Sequence, residues 1–325
     1  RGRLTKDWTN FARYCAVYNG LLVLDKIYGA PSRACVNGVG AALGGRKQKT
    51  GHAGTLDTTA SGALIVLAGY ATRLSEAVMN LPKTYEAHIT FGWETSTDDA
   101  TGEPLSDPVP AAFDEDALRS WLPAFCGVRL QTPPRVSAVK VDGARAHKLA
   151  RAGSEPAIRP RPVNVTSVAY LGRTERGEAR LRVRCHRGTY VRSLARDLGR
   201  MMGLGAHLSG LRRLNVGCYA CENAVPYNPQ QRPTPEELAA AILPVETLAT
   251  QYYSYVANAF CEKRLSNGLN VYLSFMRRLG GGVVPVSDGV IVLGRDLFCL
   301  GDVRLENGRA VVRPRVNLPR AAMLP

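Results

Sequence analysis

The run Gly51-His52-Ala53-Gly54-Thr55-Leu56-Asp57 constrains this chain most, because it sets a carboxylate in a glycine-rich turn just ahead of the apolar stretch Gly62-Ala63-Leu64-Ile65-Val66-Leu67. Glycine admits backbone conformations that a side chain forbids and lets another molecule approach the main chain closely. The turn therefore reads as a binding surface with an acid poised on it. The plainer alternative is a tight turn between two strands, with Asp57 as a cap. Neither a phosphate-binding Gly-x-x-x-x-Gly-Lys-Ser/Thr loop nor a dinucleotide Gly-x-Gly-x-x-Gly loop is present.

Charge decides what such a surface would bind. The 325 residues carry 42 Lys+Arg against 27 Asp+Glu, a formal net charge of +15. An excess of that size points to a polyanion, and nucleic acid leads. Only 8 of the cations are Lys, and the planar guanidinium that dominates suits bidentate phosphate contacts and stacking on bases. The 8 Cys are scattered through a chain too large to need disulfide staples, which predicts reduced thiols. Cys218-Tyr-Ala-Cys221 has the spacing of half a zinc site but no second Cys/His pair at a suitable distance, so it reads as structural. No run approaches the ~18 apolar residues of a membrane span.

Periodicity supplies the elements. Gly20-Leu21-Leu22-Val23-Leu24-Asp25-Lys26 predicts a buried strand, a helix follows over about 32–43, and Arg46, Lys47 and Lys49 form a basic cluster before the Gly51 turn. From Lys83 to Trp93, Tyr85, Ala87, Ile89 and Phe91 face inward, with Lys83, Glu86, His88 and Thr90 assigned to the polar side. Residues 95–110 read as an acidic loop, and 114–125 as a helix capped by Asp114. Strands over 163–170 and 179–185 lead into His186-Arg187-Gly188-Thr189-Tyr190 and a further helix with Leu194, Leu198 and Met201 on one face. Prolines between 223 and 235 mark a connector, and 236–242 reads as helical. The Val- and Gly-rich tail beyond has hairpin-like turns at Ser287-Asp288-Gly289 and Glu306-Asn307-Gly308. The expectation is an α+β chain: a mixed, mostly antiparallel sheet flanked by helices, with a small β-rich C-terminal domain. Its divisions are an extension over 1–19, a main α+β domain over 20–245 and the small β-rich domain over 246–325.

Four segments stand together: Leu24-Asp25-Lys26, Gly51-His52-Ala53-Gly54-Thr55-Leu56-Asp57, Lys83-Thr84-Tyr85, and Cys185-His186-Arg187-Gly188-Thr189-Tyr190-Val191-Arg192. In order and spacing they closely resemble the TruB family of pseudouridine synthases, over about 20–217, and the tail is similar in place and length to that family's PUA domain. The resemblance implies an RNA-modifying isomerase that needs no cofactor or metal. In such an enzyme a uridine is attacked at C1′ or C2′ of its sugar, and the uracil is detached, rotated and rejoined through C5. Asp57 matches the catalytic aspartate, Tyr85 the ring that stacks on the base and helps move its C5 proton, and Arg192 the cation that keeps the acid ionised. A carboxylate in a pocket deep enough for a base needs such a cation, since desolvation alone raises its pKa. The plain alternatives are a core Tyr on a strand and a surface Arg at a helix start. His52 matches the residue that supports the extruded nucleotide, Tyr190 and Leu211 line the pocket, and Lys26 buttresses it. The uridine must leave its stack to be reached.

This chain departs from the family pattern twice. Ile27 stands where Pro is usual after Asp-Lys, and Asp57-Thr58-Thr59-Ala60-Ser61-Gly62 stands for Asp-Pro-Leu-Ala-Thr-Gly. Losing two prolines removes φ restraints beside the acid. The resemblance implies the T-loop of tRNA as the leading substrate; rRNA and a ribosomal or assembly complex are the alternative partners, and the lack of a long apolar run predicts no membrane. A non-catalytic RNA-binding or ribosome-assembly role is the competing expectation. Arg richness, the motif departures and a start at Arg1 without Met lean toward a mitochondrion, with bacterial cytoplasm as the alternative.

Overall fold

The computed structural model describes residues 18–137, 140–141, 144–145 and 158–320. Most of the expected N-terminal extension lies outside these residues. In chain order the main elements are β1 (Gly20–Lys26), α1 (Ser32–Leu43), β2 (Thr50–His52), β3 (Ala60–Ala68), α2 (Ser75–Asn80), β4 (Lys83–Phe91), α3 (Glu115–Trp121), β5 (Gly127–Gln131), β6 (Arg161–Arg173), β7 (Ala179–Cys185), α4 (Val191–Met201), β8 (Ala206–Val216), β9 (Val225–Tyr227) and α5 (Pro235–Ala240). Then follow β10 (Ser254–Val256), α6 (Ala259–Ser266), β11 (Val271–Tyr272), β12 (Arg277–Gly280), β13 (Val290–Leu293), β14 (Leu297–Glu306) and β15 (Arg309–Pro319). The described residues form two compact units, one of 18–81 with 215–320 and one of those between 82 and 214.

In the first unit β1 lies between β9, to which it is parallel, and β3, to which it is antiparallel with Lys26 opposite Gly62. β2 also pairs with β3 and places His52 opposite Val66. The C-terminal strands form a six-stranded sheet in the order β11-β15-β14-β13-β10-β12. Cys261 and Leu265 of α6 close one core with Val290, Val292, Cys299 and Val312 of this sheet, and a second set of its side chains packs elsewhere. Ile291, Phe298, Leu300, Val316 and Leu318 share one buried cluster with Leu21, Ala63, Ile65 and Leu67. Tyr252 is sunk in the same cluster, its hydroxyl donating to the Ala77 carbonyl at 2.8 Å, which satisfies a polar atom that burial would otherwise penalise.

The second unit is an antiparallel sheet in the order β8-β4-β7-β6-β5. One of its faces is covered. Ala87, Ile89 and Phe91 of β4 and Leu181 and Val183 of β7 pack against Leu118 and Phe125 and against Leu194 and Leu198 of α4. Truncating a fully buried leucine such as Leu198 to Ala costs about 2–5 kcal/mol. Helix and strand approach so closely at the end of α4 that a Cβ on Gly199 would sit 2.3 Å from the backbone nitrogen of Ala206.

Four expectations need correction. Lys83 does not lie on the polar side of β4: it has the same strand parity as Tyr85 and Ala87 and is buried. The helix expected over 114–125 is α over Glu115–Trp121 and then a 3₁₀ turn over Leu122–Phe125, where Pro123 cannot donate to the α ladder. The segment expected as helical over 236–242 forms a shorter helix, Pro235–Ala240. Ser287-Asp288-Gly289 is not a hairpin turn, because β12 and β13, which flank it, both pair with β10 and not with each other. Glu306 does lie opposite Arg309 across a two-residue turn, in which Asn307 and Gly308 take φ of 51° and 73°.

Candidate active site

The acid sits on a turn that is fixed by its neighbours. Leu56 is buried, and its backbone is held on both sides by Ser32 at the start of α1: the Leu56 N–H donates to Ser32 Oγ at 3.0 Å and Ser32 Oγ donates to the Leu56 carbonyl at 2.7 Å. On the far side, the Gly29 N–H donates to the Thr58 carbonyl at 2.8 Å and the Ala60 N–H to the Asp57 carbonyl at 3.1 Å. Gly54 takes the left-handed φ of 94° that lets the chain turn there, whereas Gly51 is part of β2 and needs no such freedom. Between these anchors the Asp57 side chain is exposed.

Lys26 is no solvated strand-end charge. It is fully buried, and its Nζ donates to the Ala30 carbonyl at 2.8 Å and the Ile27 carbonyl at 3.1 Å, drawing the 27–31 turn closed. The Ile27 N–H in turn donates to the Tyr227 carbonyl at 3.3 Å, a bond that proline could not make. At Ile27, then, a hydrogen bond stands where the family pattern has a proline ring. His52 ends β2, partly buried, on the strand that leads into the turn.

The second unit carries the remaining residues. Tyr85 is half-buried in β4 opposite Val183, and both it and Leu211 of β8 pack on the cluster beneath the sheet. Tyr190 immediately precedes α4, and its backbone is pinned by one side chain: its N–H donates to Gln131 Oε1 at 2.9 Å, and Gln131 Nε2 donates to its carbonyl at 3.1 Å. That fixes where α4 begins.

Arg192 lies in the first turn of α4, where a cation opposes the helix dipole, and yet only 7 % of its surface is exposed. A carboxylate and two carbonyls offset both costs. Its Nη1 lies 3.4 Å from Asp99 Oδ2 and donates to the Thr97 carbonyl at 3.2 Å, and its Nη2 donates to the Val136 carbonyl at 3.1 Å. Asp99 is itself oriented, its Oδ1 accepting from Thr97 Oγ1 at 2.8 Å and from the N–H and hydroxyl of Thr101 at 3.0 and 2.5 Å. The plain alternative, a surface arginine at a helix start, is thereby excluded. Sequence reasoning missed Asp99, which lies in a segment read only as an acidic loop. Two adjacent aspartates among threonines were the available signal.

Lys83, which heads the Lys83-Thr84-Tyr85 segment, is buried and lies beside this site's second-unit residues in sequence. Burial, with the Arg213 guanidinium second, drives its ammonium down from the ordinary 10.5 to about 7. Burial also pushes the neighbouring Cys185 thiol up to about 11, so that group is inert. Among the described residues no cluster of three or more His, Cys, Asp or Glu is placed to hold a metal ion. No helix among them is long and apolar enough to cross a membrane.

Known proteins match this arrangement over most of its length. Residues 43–191 match the family model for the N-terminal domain of TruB family pseudouridylate synthase, and 192–250 that for the C-terminal domain of tRNA pseudouridylate synthase B. The chain is 40% identical over 252 residues to tRNA pseudouridine synthase B of Paracoccus denitrificans, covering 77% of this chain and 83% of that protein. It is 36% identical over 292 residues to the protein of the same name from Solibacter usitatus, covering 89% and 97%. Among solved structures, a chain of a Cbf5-Nop10-Gar1 complex superposes with a TM-score of 0.70 at 24% identity, covering 94% of this chain and 86% of that one. At that identity the likeness speaks for the fold alone, a pseudouridine synthase fold with a PUA-like β-rich C-terminal domain.

Proposed function

Because the chain belongs to the TruB family of pseudouridine synthases, we propose that it acts on transfer RNA and converts a uridine of the T-loop to pseudouridine. The observation that carries this is the extent of likeness to relatives named tRNA pseudouridine synthase B, up to 42% identity over 254 residues. The net charge of +15 suits such a polyanionic substrate.

In this reading Asp57 acts at the ribose, either adding to C1′ as the uracil leaves or removing the C2′ proton. The N1–C1′ bond breaks, the free base turns and C5 bonds to C1′, as the Asp57–C1′ bond breaks on the first route or as the proton held by Asp57 returns to C2′ on the second; the proton leaving C5 is balanced by one gained at N1, so no atom is gained or lost. A turn whose backbone is fixed while its carboxylate stays accessible suits that task, because the reacting oxygen must meet the sugar without the loop reorganising. Tyr85 stacks on the extruded base and helps move the C5 proton, and its place on a strand packed against a core makes the ring a rigid platform. Arg192 supplies the cation of the reaction. His52, Lys26, Tyr190 and Leu211 support or line the space the nucleotide enters, Lys26 through the turn it closes.

The test is to map pseudouridine in a T-loop stem-loop RNA after incubation with wild type and with Asp57→Asn. Conversion by wild type alone is expected, and conversion by both would remove the acid from the mechanism. If neither converts the RNA although both bind it, the substrate is another RNA, rRNA included, or the protein serves as an RNA-binding assembly factor. Rescue of a deletion phenotype by Asp57→Asn would favour that second role. The relatives above are bacterial, which favours a bacterial over a mitochondrial setting.

A further inference from the structure

One helical turn beyond Arg192 lies Arg196, on the same face of α4 and almost equally buried. Its Nη1 meets Asp98 Oδ2 at 2.6 Å, and its Nη2 donates to the Thr132 carbonyl at 3.0 Å. Asp197 completes the set, its Oδ1 accepting from Arg196 Nε at 3.0 Å and Nη2 at 2.8 Å. The two segments that Arg196 holds are the two that grip Arg192. Residues 97–99 supply the Thr97 carbonyl and the Asp99 carboxylate, and the stretch from Thr132 to Val136 supplies the Val136 carbonyl. Ser193 Oγ reinforces the second segment by donating to the Thr132 carbonyl at 2.8 Å.

Asp98 sits between the two residues that touch Arg192, and its backbone is unusual. Its φ is 61°, in the left-handed region that non-glycine residues rarely occupy and that Asp and Asn tolerate best. The backbone around it is locked to β8, with the Leu208 N–H donating to the Asp98 carbonyl and the Ala100 N–H to the Leu208 carbonyl, both at 3.0 Å. Consecutive carboxylates are thereby sent to consecutive arginines, Asp98 to Arg196 and Asp99 to Arg192. Stability alone is a weak reason for this arrangement, since a buried ion pair seldom repays the desolvation of both charges and a non-glycine residue at positive φ adds strain. Positioning is the stronger reason.

We propose that Asp98 and Arg196 form a positioning pair which holds the 95–99 loop and the 132–136 segment against α4, and so fixes the plane of the Arg192 guanidinium during uridine isomerisation. The proposal rests on the reading of Arg192 as the cation of the reaction. Neither Asp98 nor Arg196 touches the RNA in this scheme; each acts through Arg192.

The experiment measures three quantities on the full chain: the single-turnover rate of pseudouridine formation in the T-loop stem-loop, the Kd for that RNA, and Tm. The variants are Asp98→Asn, Arg196→Gln, their double, Arg196→Lys and Arg192→Met. Asn keeps the shape of Asp98 and tolerates its backbone, and Asp98→Gly serves in its place if that variant folds poorly. Expected are rates about 10- to 100-fold lower for each single variant with Kd within about twofold of wild type, a double variant no slower than the slower single, and partial recovery with Arg196→Lys. Rates within about twofold of wild type while Tm falls would make the pair merely structural, and the proposal would be wrong even with Arg192→Met inactive. If Arg192→Met reacts as fast as wild type, the catalytic reading of Arg192 falls and takes the proposal with it.

Discussion

The Asp57 turn and the Arg192 pocket are built on opposite plans. Around Asp57 the backbone is fixed while the residue itself is exposed: Ser32 grips Leu56 and Gly29 grips Thr58. Around Arg192 the side chain itself is fixed and buried, with the Asp99 carboxylate and the Thr97 and Val136 carbonyls among its partners. The difference teaches where mutation should separate chemistry from folding. An exposed acid on a fixed turn can be changed at little structural cost, whereas a buried cation leaves its partners stranded when it is removed.

The sharpest break of that comparison is Asp57→Asn, expected to lower the rate of pseudouridine formation by about 10²- to 10⁴-fold with Tm unchanged. A Tm loss of several degrees would show that the acid is part of the fold after all. Arg192→Met is expected to lose activity and also about 3–5 kcal/mol of stability, because Asp99 stays buried without its charge partner. Urea unfolding that matches wild type would refute the buried-pair account.

Lys83 extends the same logic to pH. Its folded value of about 7 lies below the ordinary 10.5, so between those values the unfolded chain holds a proton that the folded chain has released. Stability is therefore expected to rise with pH across that window, by about 2–3 kcal/mol between pH 7 and pH 9. Unfolding of Lys83→Met at the two pH values should show a clearly smaller gain; an equal gain would assign the slope to other groups. The smallest effect tests the turn. Ser32→Ala leaves the buried N–H and carbonyl of Leu56 without their shared partner, at about 1–3 kcal/mol, and loosens the residue next to the acid. A drop in rate with RNA affinity unchanged is expected, and loss of affinity instead would mean that the turn serves binding more than chemistry.

Much of this was legible in the sequence. The strand at Gly20–Lys26, the helix at Ser32–Leu43 and the strand and helix around the Gly188-Thr189-Tyr190 motif follow from periodicity that one chain segment carries by itself. Lys83 was misplaced because its charge was allowed to outweigh its parity in the strand, and parity decides which face a side chain takes. The connection through Ser287-Asp288-Gly289 was misread because a turn signal says where a chain bends and not which strands it then joins. Asp99 and Asp98 were passed over because an acidic loop looks alike whether it is solvated or folded onto a helix.

Family, element order and the candidates for acid, aromatic ring and cation are all written in short contiguous motifs that one chain segment carries alone. Packing, by contrast, is what buries Arg192, brings Asp99 and the Thr97 carbonyl to it and fastens Ser32 to the residue before Asp57. The physical reason is separation along the chain. Partners 24 residues apart in one case and 93 in the other meet only when strands and helices pack, and no local pattern records that meeting.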